Sequence, residues 1–352
     1  MTRRNRPAGR ALREREFHRW LARALPAGHA GPLPIGDDAA AIPPPRGHVA
    51  VVSTDLLVEG THFLPGSPPA RVGAAAAAVS LSDVAAKGAR PAAILIGLIL
   101  PVGTRSEWPE AVVRGAERLG ARFGAHIVGG DTKPGPVRAI ASTVLGWGSA
   151  RALVPRSGAR AGDWLAVTGV VGRGGMAAAN LAAGGVRRRR AASELVDVRP
   201  RVREGMVLAP FAHAMLDTSD GLADSARLLA AASRVRVRID EARLPLARGV
   251  AAGRSADARR AIAFFGGDYE LLVALPPARW RRAERAVRRV GGALTRIGRV
   301  ERGRGAWLET GDALLPMPRA GWQPFERSRG SPSVRPTPDP ASNRGRARAT
   351  LK

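Results

Sequence analysis

The chain contains no cysteine. That excludes disulfides, zinc–thiolate sites and thiol catalysis together. Lysine is nearly absent as well: Lys87, Lys133 and Lys352 are the only ones, so arginine supplies 53 of the 56 basic residues. Aromatic residues make up 4 % of the chain, with a single tyrosine, which leaves little material for stacking nucleobases. No run of 18 apolar residues occurs, so no membrane span is expected. The first ten residues are basic, but Leu12-Arg13-Glu14-Arg15-Glu16-Phe17 follows them where a signal peptide would carry its apolar core. Export is therefore not expected, and a cytoplasmic location is.

The net charge of +27 ordinarily points to nucleic acid. Here arginine is scattered along an alanine-rich chain rather than gathered in a stripe, which reads as compositional bias. No specific nucleic-acid partner is expected. A basic nucleic-acid-binding protein is the alternative from a different class, and it would have to explain where the acids sit. Residues 31–45, 49–64, 72–86, 123–132 and 212–226 contain no Lys or Arg, yet they hold Asp37, Asp38, Asp55, Asp83, Asp131, Asp217 and Asp220. Carboxylates kept clear of arginine in apolar or glycine-rich surroundings need another counter-charge, and a bound cation supplies one.

Ser53-Thr54-Asp55 is the stretch that organises the rest. It follows Val49 to Val52, read as a short buried strand, and places two hydroxyls and a carboxylate at the strand end. Such hard oxygens suit Mg2+ shared with phosphate; a polar strand end capping a turn is the plainer alternative. Gly36-Asp37-Asp38-Ala39-Ala40 is a turn with paired acids, equally at home on a surface. Asp83 lies on an alanine-rich helix over 70–87, with Ser82 beside it and Ser80 on the same face. Gly129-Gly130-Asp131-Thr132 follows a short strand at 126–128; its glycines let a phosphate approach the backbone, or simply make a β-turn. Arg156-Ser157-Gly158 can present a guanidinium to phosphate or stay solvated. In Asp217-Thr218-Ser219-Asp220-Gly221 two acids flank a serine before a helix, where Ser219 or Asp220 is either an N-cap or part of an anion site.

The remaining pattern alternates strands and helices. Helices are expected at 11–25, 106–123, from after the glycine-rich 169–175 stretch to about 183, and at 200–214, 254–263 and 277–289. Strands are expected at 92–100, 137–147, 163–168, 235–239, 270–275 and 293–299. The expected organisation is a disordered stretch at 1–10, an N-terminal domain over 11–150 with most of the candidate metal ligands, and an α/β domain over 151–326. A disordered basic tail over 327–352 completes it.

These motifs in this order resemble the thiamine-monophosphate kinase family. They are Gly36-Asp37-Asp38-Ala39-Ala40, Ser53-Thr54-Asp55 with His62-Phe63, Leu81-Ser82-Asp83 running to Gly88-Ala89, Gly129-Gly130-Asp131-Thr132, Arg156-Ser157-Gly158 and Asp217-Thr218-Ser219-Asp220-Gly221-Leu222. The resemblance covers about residues 11–325. It implies an α/β, α+β-type fold: the two-domain aminoimidazole-ribonucleotide synthetase-like architecture, whose N-terminal domains pair in a homodimeric β-barrel. It implies an enzyme that uses ATP, with Mg2+ as cofactor, to phosphorylate thiamine monophosphate. By the same resemblance Asp38, Ser53, Thr54, Asp55, Asp83, Asp131, Asp217 and Asp220 are the metal ligands. Gly130, Asp131, Arg156 and Ser219 contact ATP, and His62, Asp268 and Trp322 face the acceptor. No nucleophile or general base stands out beyond the metal cluster.

Two departures touch the acceptor side. Gly266-Gly267-Asp268-Tyr269-Glu270 lacks an acid that many members carry before Asp268, and Gly321-Trp322-Gln323-Pro324-Phe325 stands where a Gly-aromatic-Asp-His-Phe ending is usual. A related superfamily kinase or synthetase acting on another phosphorylated small molecule is the nearer alternative. The absence of cysteine counts against the selenophosphate synthetase and hydrogenase-maturation branches.

Overall fold

The computed structural model describes residues 20, 24, 45–183, 191–311 and 313–321. The Asp37-Asp38 turn, Trp322, residues 1–10 and the 327–352 tail lie outside these residues, as does the 11–25 helix apart from Trp20 and Ala24, both helical.

The N-terminal half is a four-stranded sheet covered on one face by helices. Its elements are β1 (His48–Val58), α1 (Pro69–Ala86), β2 (Arg90–Leu100), α2 (Glu107–Ala121), β3 (His126–Pro134) and β4 (Ala139–Ser149). The strand order is β1-β4-β2-β3. β4 pairs antiparallel with both β1 and β2, and β3 runs parallel to β2 after the α2 crossover. α1 starts with a proline at its first turn and carries no acid in its first turn and no base in its last. Its alanines, valines and Leu81 are buried nearly all round, so small side chains allow it to be wedged between the sheet and α2 rather than lie on a surface.

The C-terminal half is built on a seven-stranded sheet. It comprises β5 (Trp164–Thr168), α3 (Arg173–Ala182), α4 (Val202–Leu208), β6 (Ala214–Asp217), α5 (Leu222–Ser233), β7 (Arg236–Asp240), α6 (Ala256–Ala263), β8 (Leu271–Leu275), α7 (Trp280–Arg289), β9 (Leu294–Glu301), β10 (Gly305–Thr310) and β11 (Ala313–Pro316). The order is β11-β10-β7-β9-β5-β8-β6, mostly antiparallel, with β7 and β10 parallel. Leu272 and Ala274 of β8 enter a core with α5, while Leu271, Val273 and Leu275 enter another with α4 and α7. Both faces are therefore covered, and the strand reads as a continuous apolar run.

The halves meet along α1. Ala86 at its C-terminal end joins the core of β5, β6 and β8, and the Lys87 ammonium donates to the Met215 carbonyl at 3.0 Å. Gly205 of α4 lies so close that a Cβ there would come within 2.1 Å of the Ala85 carbonyl oxygen. Glycine permits that approach and nothing larger does. No helix among the described residues is long and apolar enough to cross a membrane.

Three sequence expectations are corrected here. β1 does not stop at Val52: it pairs with β4 in unbroken register from His48 to Val58, so Ser53-Thr54-Asp55 lies in mid-strand. Likewise Gly129-Gly130-Asp131-Thr132 is paired to β2 within β3 and makes no turn. The helix expected over 200–214 ends at Leu208, and residues 214–217 instead form β6 beside β8; Pro210 cannot continue a helix. β10 and β11 close the far edge of the larger sheet and were not anticipated.

Candidate functional site

Alternation along β1 sorts its side chains. Ser53, Asp55 and buried Leu57 face α1; Val52, Thr54 and Leu56 face outward. Opposite Asp55, Ser80 of α1 donates to the carboxylate at 2.9 Å and lies 2.8 Å from the Ser142 carbonyl oxygen. One turn on, Asp83 accepts from Ser53 at 2.5 Å. From the other half, Asp217 ends β6 and accepts from Ser82 at 2.7 Å and from Ser219 at 3.0 Å. Ser82 and Asp83 are adjacent on α1, so this helix presents serine bridges and an acid to β1 on one side and to β6 on the other.

Electrostatics tie the acids together. Burial, then the charge of Asp83, pushes the Asp217 carboxyl up to about 6. Burial, then Asp83, raises Asp55. Asp220 is raised by burial, then by Asp224 and Asp83, against the opposing charge of Arg156. Asp55, Asp83, Asp217 and Asp220 are thus one cluster of carboxylates in mutual repulsion. Arg156 is exposed beside it, and its charge also bears on Lys87.

Asp131 is placed differently. β3 lies at the opposite edge of the sheet from β1, three strand spacings or about 14 Å away, in the row Leu56, Ala141, Gly97, Asp131. Its exposed carboxylate accepts from Lys133 at 2.9 Å and from the Thr132 amide at 2.8 Å. Gly130 sits in the Asp55 row, and a Cβ there would come within 1.9 Å of the Ile96 carbonyl oxygen. The glycine is required by the neighbouring strand. Thr54 points outward, its hydroxyl 2.9 Å from that of Thr143. Ser219 donates to Asp217, and Gly221 stands at the start of α5 with no side-chain cap; the N-cap reading of Ser219 and Asp220 fails.

His62, half-buried in the turn after β1, accepts the Val58 amide on Nδ1 at 3.0 Å. Burial lowers its pKa, so the imidazole is neutral near pH 7, with its proton on Nε2. Asp268 is 2 % exposed. It accepts the amides of Gly172 and Gly174 at 2.7 and 3.0 Å, and burial, only partly offset by these bonds, pushes its carboxyl up to about 6. It holds the turn into α3. A cavity of about 780 Å3 adjoins that turn, lined by Arg173, Gly174, Asn180, Glu194 and Gly267 among others.

Residue-by-residue reading missed the serine bridges, Ser80 and Ser82, as working parts. The signal was two fully buried hydroxyls in an alanine helix. It also missed Glu270, wholly buried, which takes Arg201 bidentately at 2.6 and 2.5 Å and Thr168 at 2.7 Å.

The donor chemistry fits Mg2+. Every polar group in the cluster is a hard oxygen, and three of its acids bear raised pKa values that a cation would reverse. Among the described residues no three acidic or imidazole side chains form a ready-made cage. Ions held here would fill their shells with phosphate oxygens and water, as Mg2+ commonly does.

Residues 36–148 match the family model for the N-terminal domain of AIR synthase related proteins, and residues 160–308 the model for the C-terminal domain. A thiamine-monophosphate kinase from Halobacterium salinarum is 39 % identical over 79 % of this chain and 92 % of its own length. The crystal structure of thiamine-monophosphate kinase from Stenotrophomonas maltophilia superposes with a TM-score of 0.71 at 32 % identity, covering 79 % of this chain and 90 % of that one. AaThiL complexed with AMPPCP and TMP superposes with a TM-score of 0.69 at 28 % identity, covering 89 % and 99 %. The chain belongs to the thiamine-monophosphate kinase family of the AIR synthase related proteins.

Proposed function

We propose that this protein transfers the γ-phosphoryl group of ATP to thiamine monophosphate, yielding thiamine diphosphate and ADP. The observation that carries this reading is the carboxylate cluster shared by the two halves, Asp55 and Asp83 from one and Asp217 and Asp220 from the other. The AaThiL complex with AMPPCP and TMP supports the choice of substrates.

An oxygen of the acceptor phosphate attacks the γ-phosphorus in line, and the bond from that phosphorus to the β,γ-bridging oxygen breaks. The acceptor is already an anion, so no base and no phosphoenzyme are needed; positioning and charge neutralisation do the work. Mg2+, when bound, would supply Lewis-acid neutralisation of the donor and acceptor phosphates. The four clustered acids and Ser53 would hold it, and Asp38, Thr54 and Asp131 are the further ligands that the family resemblance implies. Ser80, Ser82 and Ser219 orient the carboxylates through their hydrogen bonds. Arg156 meets ATP phosphate as a guanidinium, beside Gly130, Asp131 and Ser219. His62 presents an Nε2–H donor to the acceptor. Trp322 belongs to the acceptor side, and Asp268 serves it indirectly, by holding the Gly172–Gly174 turn.

A homodimer belongs to the same reading. The outward face of the N-terminal sheet exposes Val52, Leu56, Leu95 and Ile99. A second copy facing it would remove this apolar surface from water and close the two sheets into a barrel.

The deciding experiment compares turnover with thiamine monophosphate and with thiamine, at equal concentration in Mg2+-ATP, with products identified by mass. Thiamine should be a poor acceptor because it offers no phosphate to bridge. Equal rates would rule out phosphate bridging. His62→Ala should raise KM for thiamine monophosphate while leaving ATP affinity near its starting value; loss of ATP affinity alone would move His62 to the nucleotide side.

A further inference from the structure

Tyr269 is the chain's one tyrosine. Among the described residues only it and Arg234 combine a side chain with positive φ. Arg234 caps the end of α5, where a left-handed residue is ordinary. Tyr269, at φ 54°, stands before β8, where nothing about a helix end calls for that conformation. A bulky residue kept there is held by its surroundings.

Those surroundings grip it on both sides. Asp268 is fixed to the amides of Gly172 and Gly174. Glu270 is locked by Arg201 and Thr168. The backbone is also tied to the acid-bearing loop. The Thr218 amide donates to the Glu270 carbonyl at 2.8 Å, the Glu270 amide donates to the Thr218 hydroxyl at 3.0 Å, and the Gly267 amide donates to the Ser219 carbonyl at 2.7 Å. The chain thus lays Tyr269 alongside Asp217-Thr218-Ser219-Asp220. Its side chain packs against the hydrophobic cluster in which β1, β2, β4 and α1 of the other half meet Val196 and Val202 of its own. The charges of Asp217, Asp55, Asp220 and Asp83 all bear on its phenol. Backbone in one half, ring in the cluster that joins the two, acids of both around it: this is the geometry of a spacer.

We propose that Tyr269 is a positioning residue for phosphoryl transfer, its ring a strut that fixes the spacing between the Asp55–Asp83 pair and the Asp217–Asp220 pair. It rests on the phosphotransferase reading above. The strut works through ring bulk, and the left-handed backbone aims it across the junction. Asp268 and Glu270 then have a shared purpose: they are the two clamps that keep a disfavoured conformation in place.

The test uses Tyr269→Leu and Tyr269→Phe in the full chain, read by Mn2+ binding followed by electron paramagnetic resonance in the presence of ATP, and by turnover. Tyr269→Leu should weaken Mn2+ binding by about tenfold or more, as loss of a supporting residue around a metal does. Turnover at saturating ATP and acceptor should then recover partly as Mg2+ is raised. Tyr269→Phe should behave as the parent in both. Should Tyr269→Leu fail to fold, 3-fluorotyrosine in the parent chain gives a single fluorine reporter. Its resonance should move when Mg2+ and ATP are added. A Leu variant with unchanged Mn2+ binding, a Phe variant as impaired as Leu, or a fluorine signal unmoved by Mg2+ and ATP would each overturn the proposal. None of the binding readouts needs thiamine monophosphate, so a wrong acceptor and a wrong strut give different results.

Discussion

The two sheets treat their faces in opposite ways. The seven-stranded sheet is covered on both sides around β8, which is buried along its whole length. The four-stranded sheet is covered by helices on one side only. Its other side leaves Val52 and Leu56 more than half exposed, at 59 % and 56 %. Each arrangement decides where chemistry can go. In the one-sided sheet, strand alternation alone separates a polar interior, Ser53 and Asp55, from an apolar exterior one residue away. Around β6 and β8 of the larger sheet no face is free, so the acids sit where β6 ends and in the loop that follows. The site forms where the inner face of one sheet meets the strand end of the other, with α1 between them.

The largest effect should come from breaking that meeting point. Asp217→Asn removes the acid that reaches Ser82 and Ser219. Turnover should fall by about 10^2 to 10^3-fold, the scale for losing one electrostatic contact to a transferring group. The metal-free melting temperature at pH 7 should hold or rise, because burial and Asp83 disfavour the charge that is removed. A variant with near-normal turnover at limiting Mg2+ would place the metal elsewhere.

Next is the exterior face. Leu56→Asp puts a charge on the row that a second copy would cover. The expected outcome is conversion of a dimer to a monomer in analytical ultracentrifugation, since a charge facing an apolar interface is costly to bury. An unchanged dimer mass would mean that the copies associate through another surface.

A third effect is pH-dependent. Asp217 is raised from 3.8 to about 6 in the fold, with Asp55 and Asp220 also raised. The metal-free folded chain therefore binds protons more tightly than the unfolded chain between those values, and its stability falls as pH rises through that window. Added Mg2+ needs the carboxylates ionised and should act in the opposite sense. The rise in melting temperature on adding Mg2+ should be small at pH 5 and larger at pH 7. A Mg2+ effect independent of pH over this range would show that these acids are not its ligands.

Much of this was legible in the residues, and what was not has definite causes. The acids flagged by arginine-free windows include all four that cluster, because an arginine-rich chain can keep such charges bare only for a purpose. β1 was read short because Ser53 and Asp55 lower strand propensity locally, whereas eleven ladder pairs with β4 override it. Glycines in Gly129-Gly130-Asp131-Thr132 suggest a turn, but Gly130 is needed for close approach to Ile96 within a sheet. β6 has four residues, Ala214–Asp217, too few for a period to be visible. Tyr269 stands in a segment read only for its acids; its strained backbone and its place between the halves exist only in three dimensions.

The smallest effect is the sharpest test of the two faces. Ser53 and Thr54 are neighbours with similar side chains, and a motif read in one dimension treats them alike. β1 sends them apart: the Ser53 hydroxyl goes to Asp83, the Thr54 hydroxyl to Thr143 on the outer side. Ser53→Ala should therefore lower turnover at limiting Mg2+ by about tenfold, as removing a hydrogen bond that orients a metal ligand does. Thr54→Val keeps shape, removes the hydroxyl and places a methyl on an already apolar face. Its turnover should stay within about twofold of the parent, the range of a surface substitution. If Thr54 meets a metal through its main-chain carbonyl, that group survives the change, so the prediction stands either way. A Thr54→Val loss as large as that of Ser53→Ala would mean that the outer hydroxyl takes part, and the division of labour between the two faces would have to be redrawn.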